Sequence, residues 1–227
     1  MQPFYLFLRK HFYLIKRADL YIHMDTVQFV RRGHHNRNRI KTTQGYLMLT
    51  VPTVNLGSHN QMIKDVKIDN SQNWQQKHWK SICQNYPRAP YFKDYFNFFE
   101  DVYSSQWEYL ADLNIYLIEN ISKFLGIENT SFSRLSDMDI ETDANPTQRL
   151  IDICESVGAT NYIIGTRAKD YMEEWRWKKT DVDLEYFEPE YPPYPQLWGE
   201  FLDNCAIIDL LFNCGDKSSI YISESDR

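Results

Sequence analysis

The sequence predicts an α/β fold with a largely parallel sheet flanked by helices. Three observations carry that expectation. Short apolar or alternating runs with strand character alternate with longer runs of helical periodicity along the chain. Hydrophobic residues make up 43% of 227 positions, enough for a core in one α/β domain. Glycine is scarce, with 8 residues, which excludes a flexible low-complexity chain.

Residues 4–18 read as a helix, because Phe4, Leu8, His11, Phe12 and Ile15 recur at helical spacing. Asp19–Met24 reads as a strand, with Asp25-Thr26 at its exit. Tyr46–Val51 is a second strand closed by Pro52, and Asp65–Ile68 a short third. Ser71 is placed to cap a helix over 73–86. A further helix is expected over 91–103. The clearest spans 105–125, with Leu110, Leu113, Leu117, Ile121 and Phe124 on one stripe and Gly126 as terminator. Ser131–Leu135 is a strand. Asn145-Pro146 opens a helix that ends at Gly158. Asn161–Ile164, leading to Gly165, and Val182–Phe187 are strands. The Pro- and Tyr-rich run 188–200 is not helical. Cys205–Phe212 is an apolar helix stopped near Gly215, and 216–227 is expected as a frayed tail. No repeat or linker divides the chain, so one domain over 1–215 is expected.

The net charge of −6 hides a split. The first 90 residues carry 14 Lys and Arg against 4 Asp and Glu, and the remainder carries 11 against 27. One face is therefore expected to attract anions. Cys83, Cys154, Cys205 and Cys214 lack C-x-x-C spacing and read as reduced thiols of a cytoplasmic protein, neither a disulfide frame nor a zinc site. No apolar run approaches the length of a membrane span.

The densest chemistry lies in Arg31–Lys41, R-R-G-H-H-N-R-N-R-I-K. No acid occurs between Asp25 and Asp65 to neutralise it. Asn36, Arg37, Asn38 and Arg39 together offer guanidinium forks and amides to a planar anionic or hydroxyl-rich group. Asp25 and Gln28 precede the run at a strand exit, where parallel sheets place ligands. Asp25, His34 and His35 are the candidate acids and bases; no third ligand is spaced to make the histidines a metal site. Gly165, at a strand end, and Lys169 offer a weaker anion contact. The proline-fixed run 191–200 presents Tyr194, Gln196 and Trp198 as a platform for a sugar ring or base. The blander readings are a solvated charged loop for the basic run, a turn cap for Asp25, a plain turn at Gly165 and a rigid connector at 191–200. No cofactor motif is present. The acidic remainder argues against nucleic acid as the partner of the basic run.

Seven motifs, in order, resemble the WbqC-like family: M-Q-P at Met1–Pro3, D-T-V-Q-F at Asp25–Phe29, N-R-N-R-I at Asn36–Ile40, T-V-P at Thr50–Pro52, D-V-K-I-D at Asp65–Asp69, Y-P-Q-L-W-G-E-F at Tyr194–Phe201 and D-L-L-F-N-C-G at Asp209–Gly215. The resemblance covers Met1 to about Gly215. It implies a bacterial protein of O-antigen or other surface-polysaccharide biosynthesis, with a nucleotidylyltransferase-like or Rossmann-like core carrying a helical insertion. Three departures stand out. The apolar strand that usually precedes the M-Q-P turn is not in this chain, Thr26 replaces a second acid, and His34 stands where an aromatic is common.

The resemblance and the basic run together lead to a transferase that N-acylates or aminoacylates a nucleotide-linked amino sugar. Arg37 and Arg39 would hold phosphate or carboxylate, with Gln2, Gln28, Asn36 and Asn38 orienting hydroxyls. A non-catalytic binder of a glycan precursor or partner enzyme is the alternative, and a nucleic-acid-binding protein the second. A homo-oligomer is left open.

Overall fold

The computed structural model describes residues 1–54, 61–140, 142, 145–188 and 191–223. The chain divides into two compact units, Met1–Ser136 with Tyr191–Arg227, and Asp137–Glu190. It is a mixed α/β protein.

In the first unit, α1 (Arg9–Lys16) leads into β1 (Leu20–His23). A polar loop then reaches the hairpin of β2 (Arg37–Thr42) and β3 (Gly45–Thr50). Helices α2 (Trp74–Asn85), α3 (Phe92–Ser104) and α4 (Leu110–Phe124) follow, then β4 (Ser131–Arg134). The second unit holds α5 (Pro146–Ser156), β5 (Asn161–Gly165), α6 (Glu174–Trp177) and β6 (Asp183–Phe187). The chain re-enters the first unit to form α7 (Ile207–Cys214).

Among the described residues the expected sheet is three two-stranded sheets. β1–β4 and β5–β6 are parallel, while β2–β3 is antiparallel. The correction has a simple cause. Thr42 pairs with Gly45, so only Thr43 and Gln44 join β2 to β3, and a two-residue connection permits only an antiparallel pair. The strand expected over Asp65–Ile68 is a 3-10 turn, Ile63–Asp65, followed by isolated bridges of Lys67 to Tyr109 and Ile68 to Thr53. Ser71 does not cap α2; it lies in a 3-10 turn whose Asp69 carboxylate accepts its N–H. The helix expected over 4–18 begins only at Arg9, because Leu6 is left-handed (φ 46°) and breaks the first turn. The residues expected as a tail form a 3-10 helix, Gly215–Ile222, that buries Ser218 and Ile222; residues 224–227 lie outside the described set, as do 189 and 190 of the Pro- and Tyr-rich run.

α7 organises the core. All eight of its residues are buried, with the two polar ones, Asp209 and Asn213, both hydrogen-bonded. The Phe212 ring meets Tyr86, Phe92 and Phe99 edge-on at 5.2–5.3 Å between centroids, a favoured aromatic geometry. α4 buries Leu110, Leu113, Leu117 and Ile121 and stops at Gly126, whose φ of 68° is the left-handed end glycine allows. In the second unit, Asn145 caps α5 by accepting from Thr147 and Gln148 N–H. Among the described residues no helix is long and apolar enough to cross a membrane.

Candidate functional site

From Arg37 the basic run becomes strand β2, and strand alternation sorts its side chains. Asn36, Asn38 and Ile40 face inward and are buried. Asn36 donates to Val51 O at 2.8 Å, and Asn38 donates to Leu6 O at 2.7 Å and Tyr5 O at 3.2 Å. The Asn38 amide thus holds the carbonyls of the chain that follows the M-Q-P turn, and the Asn36 amide holds the chain leaving β3. Asn114 adds bonds to Pro3 O and His35 O. The guanidiniums of Arg37 and Arg39 point the other way, so the four side chains do not converge on one group.

Arg32, Gly33, His34, Arg37, Asn38, Arg39 and Met48 line a pocket of about 200 Å³. No carboxylate is among them. Arg39 is oriented from two sides: its Nε donates to Asn204 O at 3.1 Å, and its guanidinium lies over the Tyr46 ring at 4.3 Å. Arg32 and Arg37 make no hydrogen bond or ion pair to any described residue. Arg32 also sits in the left-handed region (φ 60°) of a turn closed by Gly33 N–H on Val30 O. That conformation costs a non-glycine residue roughly 1–2 kcal/mol. Exposed His34 packs its ring near Phe4, 6.1 Å between centroids.

Lys41 has the parity of Arg37 and Arg39 yet is 1% exposed, because the segment 194–204 covers it. Its Nζ donates to Gln196 Oε1 at 3.0 Å and Glu200 O at 2.6 Å. Gln196 Nε2 donates to Asp209 Oδ2 at 2.7 Å. Asp209 also accepts from Tyr86 and Tyr194 hydroxyls at 2.7 and 2.8 Å. Burial pushes the Asp209 carboxyl above the usual carboxylate range, partly opposed by these donors. The same burial holds both phenols protonated. Arg9 completes the clasp, donating to Pro192 O, Tyr191 O and Asp203 and lying over the Tyr191 ring.

The other expected site residues lie elsewhere. Asp25 is buried and accepts from Ser136 N–H at 3.0 Å and Ser136 Oγ at 2.6 Å. His35 is buried; its Nδ1 accepts from Val30 N–H, so its Nε2 carries the proton toward Gln2 Oε1 at 2.8 Å. Burial lowers its pKa to about 4. Gln28 is exposed and bridges Met62. Tyr194 is 6% exposed, and Trp198 donates its Nε1–H to Asn85 O at 3.0 Å. Gly165 opens a 3-10 turn of the second unit, where Lys169 lies over the Tyr186 ring. The sequence reading passed over Arg32 as a site residue, Lys41 and Asp209. Asp209 left a signal: a lone acid inside a mostly apolar helix needs buried partners. Among the described residues no three His, Cys, Asp or Glu side chains gather as metal ligands would.

Fold and site define a mixed α/β protein with a cationic surface pocket. The model of the WbqC-like protein family matches residues 2–221, and the chain belongs to that family. It is also 34% identical over 225 residues to the uncharacterized protein Rv1507c of Mycobacterium tuberculosis, covering 98% of this chain and 95% of that one. No solved structure matches.

Proposed function

We propose that the protein acts on a nucleotide-linked amino sugar in bacterial surface-polysaccharide biosynthesis, as a transferase that acylates the sugar amine. The single observation that carries the reading is the pocket of Arg32, Arg37 and Arg39, three permanent cations with no lining carboxylate among the described residues. In this reading the guanidiniums hold the phosphates of the sugar nucleotide, on a nucleotidylyltransferase-like or Rossmann-like core. His34, at the pocket, is the candidate base. It would take a proton from the sugar ammonium as the amine nitrogen attacks an acyl carbonyl. The amide forms, and the donor's thiol or other leaving group departs.

The test is incubation with nucleotide-linked amino sugars and acyl thioesters, followed by mass spectrometry. An acylated sugar nucleotide, lost in H34A, supports the reading; neither turnover nor binding overturns it.

Binding without turnover is the second reading. Its supporting observation is that Asp25 and His35, the other two candidate acids and bases, are themselves buried and already bonded to protein groups. It predicts sugar-nucleotide affinity with substrate unchanged after long incubation.

A further inference from the structure

We propose that the Arg32–Arg37–Arg39 pocket is a diphosphate site, taking the diphosphate of a diphosphate ester while the rest of the ligand lies outside it. This deepens the proposed function and rests on it only for the identity of the whole ligand.

Three observations select the diphosphate. The first is size. About 200 Å³ falls short of the roughly 300–1,000 Å³ that encloses a drug-sized ligand, so the pocket suits a charged head and not a whole sugar nucleotide. The second is charge. Three guanidiniums with no lining carboxylate over-match a single carboxylate. The third is geometry. Arg37 and Arg39 share one face of β2, and residues two apart on a strand are separated by roughly 7 Å. Arg39 is held toward Asn204 O and Tyr46, so sharing one small anion with Arg37 would cost it both contacts. A diphosphate presents one phosphoryl group to each fork.

Arg32 supplies independent support. Its left-handed turn position is one that glycine or asparagine ordinarily fills, and its guanidinium has no partner among the described residues. A strained residue whose side chain bonds none of the described residues and lines a pocket is placed for a ligand.

Met48 lines the same pocket, and Tyr46 and Met48 are exposed on the same face of β3. That strip would accept either a nucleoside or an isoprenoid beyond the diphosphate, so the shared chemistry is the diphosphate and the source is left to the assay.

Calorimetric titration with inorganic pyrophosphate tests the proposal, with orthophosphate and acetate as comparisons. Pyrophosphate is expected to bind at least about tenfold more tightly than orthophosphate, and acetate not at all. R37Q and R32G are expected to weaken pyrophosphate binding by about tenfold each, while K80Q, which removes an exposed charge elsewhere, leaves it unchanged. R32G carries its own folding control: it relieves the left-handed strain, so thermal stability should hold or rise as affinity falls. Equal affinity for orthophosphate and pyrophosphate, or binding indifferent to R37Q and R32G, overturns the proposal. Parallel titrations with uridine diphosphate and farnesyl diphosphate tell the nucleotide source from the lipid source. Tight pyrophosphate binding without sugar-nucleotide acylation would sink the transferase reading and leave the diphosphate site standing.

Discussion

Lys41 and Asp209 are joined through one side-chain amide. Gln196 stands between them, its Oε1 accepting from Lys41 at 3.0 Å and its Nε2 donating to Asp209 at 2.7 Å. A buried cation and a buried acid on different elements thus fix the loop that carries Gln196. The amide also donates to Leu202 O and accepts from Leu202 N–H, so every polar atom of this side chain is bonded.

Gln196→Leu should destabilise the fold by about 2–4 kcal/mol, because Lys41 loses one of two acceptors and Asp209 loses a donor. Urea unfolding measures it. Lys41→Met combined with Gln196→Leu should cost less than the sum of the two, since both remove the same contact.

Acid should unfold the protein well before its carboxylates are exhausted. His35 and His78 are held neutral, each with a pKa lowered by burial from 6.5 to about 4. His78 Nδ1 accepts from Tyr5 OH and its Nε2–H donates to Thr50 O, so a second ring proton would have to reverse the Tyr5 hydroxyl, besides placing a charge in a buried site. The native state binds these protons less readily than the unfolded chain. Their contribution is therefore complete above pH 6.5 and drains away as pH falls through 4, by up to about 3 kcal/mol for each ring. Denaturant midpoints between pH 7.5 and pH 4 should follow that slope, and His78→Gln should flatten it.

Gly215→Ala should be among the costliest single-methyl additions. Gly215 has φ 54°, and a Cβ there would clash with the Tyr91 ring. Steric displacement of that ring plus the left-handed backbone should cost about 2–4 kcal/mol. Thermal melts check it, with Gly45→Ala as comparison, where strain acts without any clash.

Arg39→Lys separates charge from orientation. The bond to Asn204 O and the planar stack on Tyr46 go, and the cation stays. Stability should change by less than about 1 kcal/mol, as the lost contacts are exposed, while pyrophosphate affinity falls about tenfold.

Asn145→Ala should cost about 1 kcal/mol, through loss of both bonds that cap α5. Hydrogen exchange should report faster opening in the second unit, where the cap resides.

Much of the fold was legible. The stripe on α4 and its glycine stop, the Asn145-Pro146 opening of α5 and the strand before Gly165 all came from local signals that side-chain periodicity and capping leave in any chain. β2 was not legible, because R-N-R-I-K-T carries its inward face on asparagine and its covered lysine on the outward parity. A period-two pattern written in polar residues looks like a charged loop until the acceptors are known. Of the site, Arg37 and Arg39 could be picked out by charge alone. Arg32's backbone, the Gln196 bridge and the Ser136 clasp on Asp25 depend on contacts more than 100 residues apart or on a single dihedral, which local pattern does not encode.

The alternation of β2 also sets how this protein can diverge. Substitutions at Asn36, Asn38 and Ile40 act on folding, and under the diphosphate proposal those at Arg37 and Arg39 act on the ligand. Stability and ligand choice are therefore written on interleaved positions of one strand. A lineage can change its ligand by altering every second residue while its neighbours stay fixed, and a saturation scan of this segment would show two fitness classes taking turns.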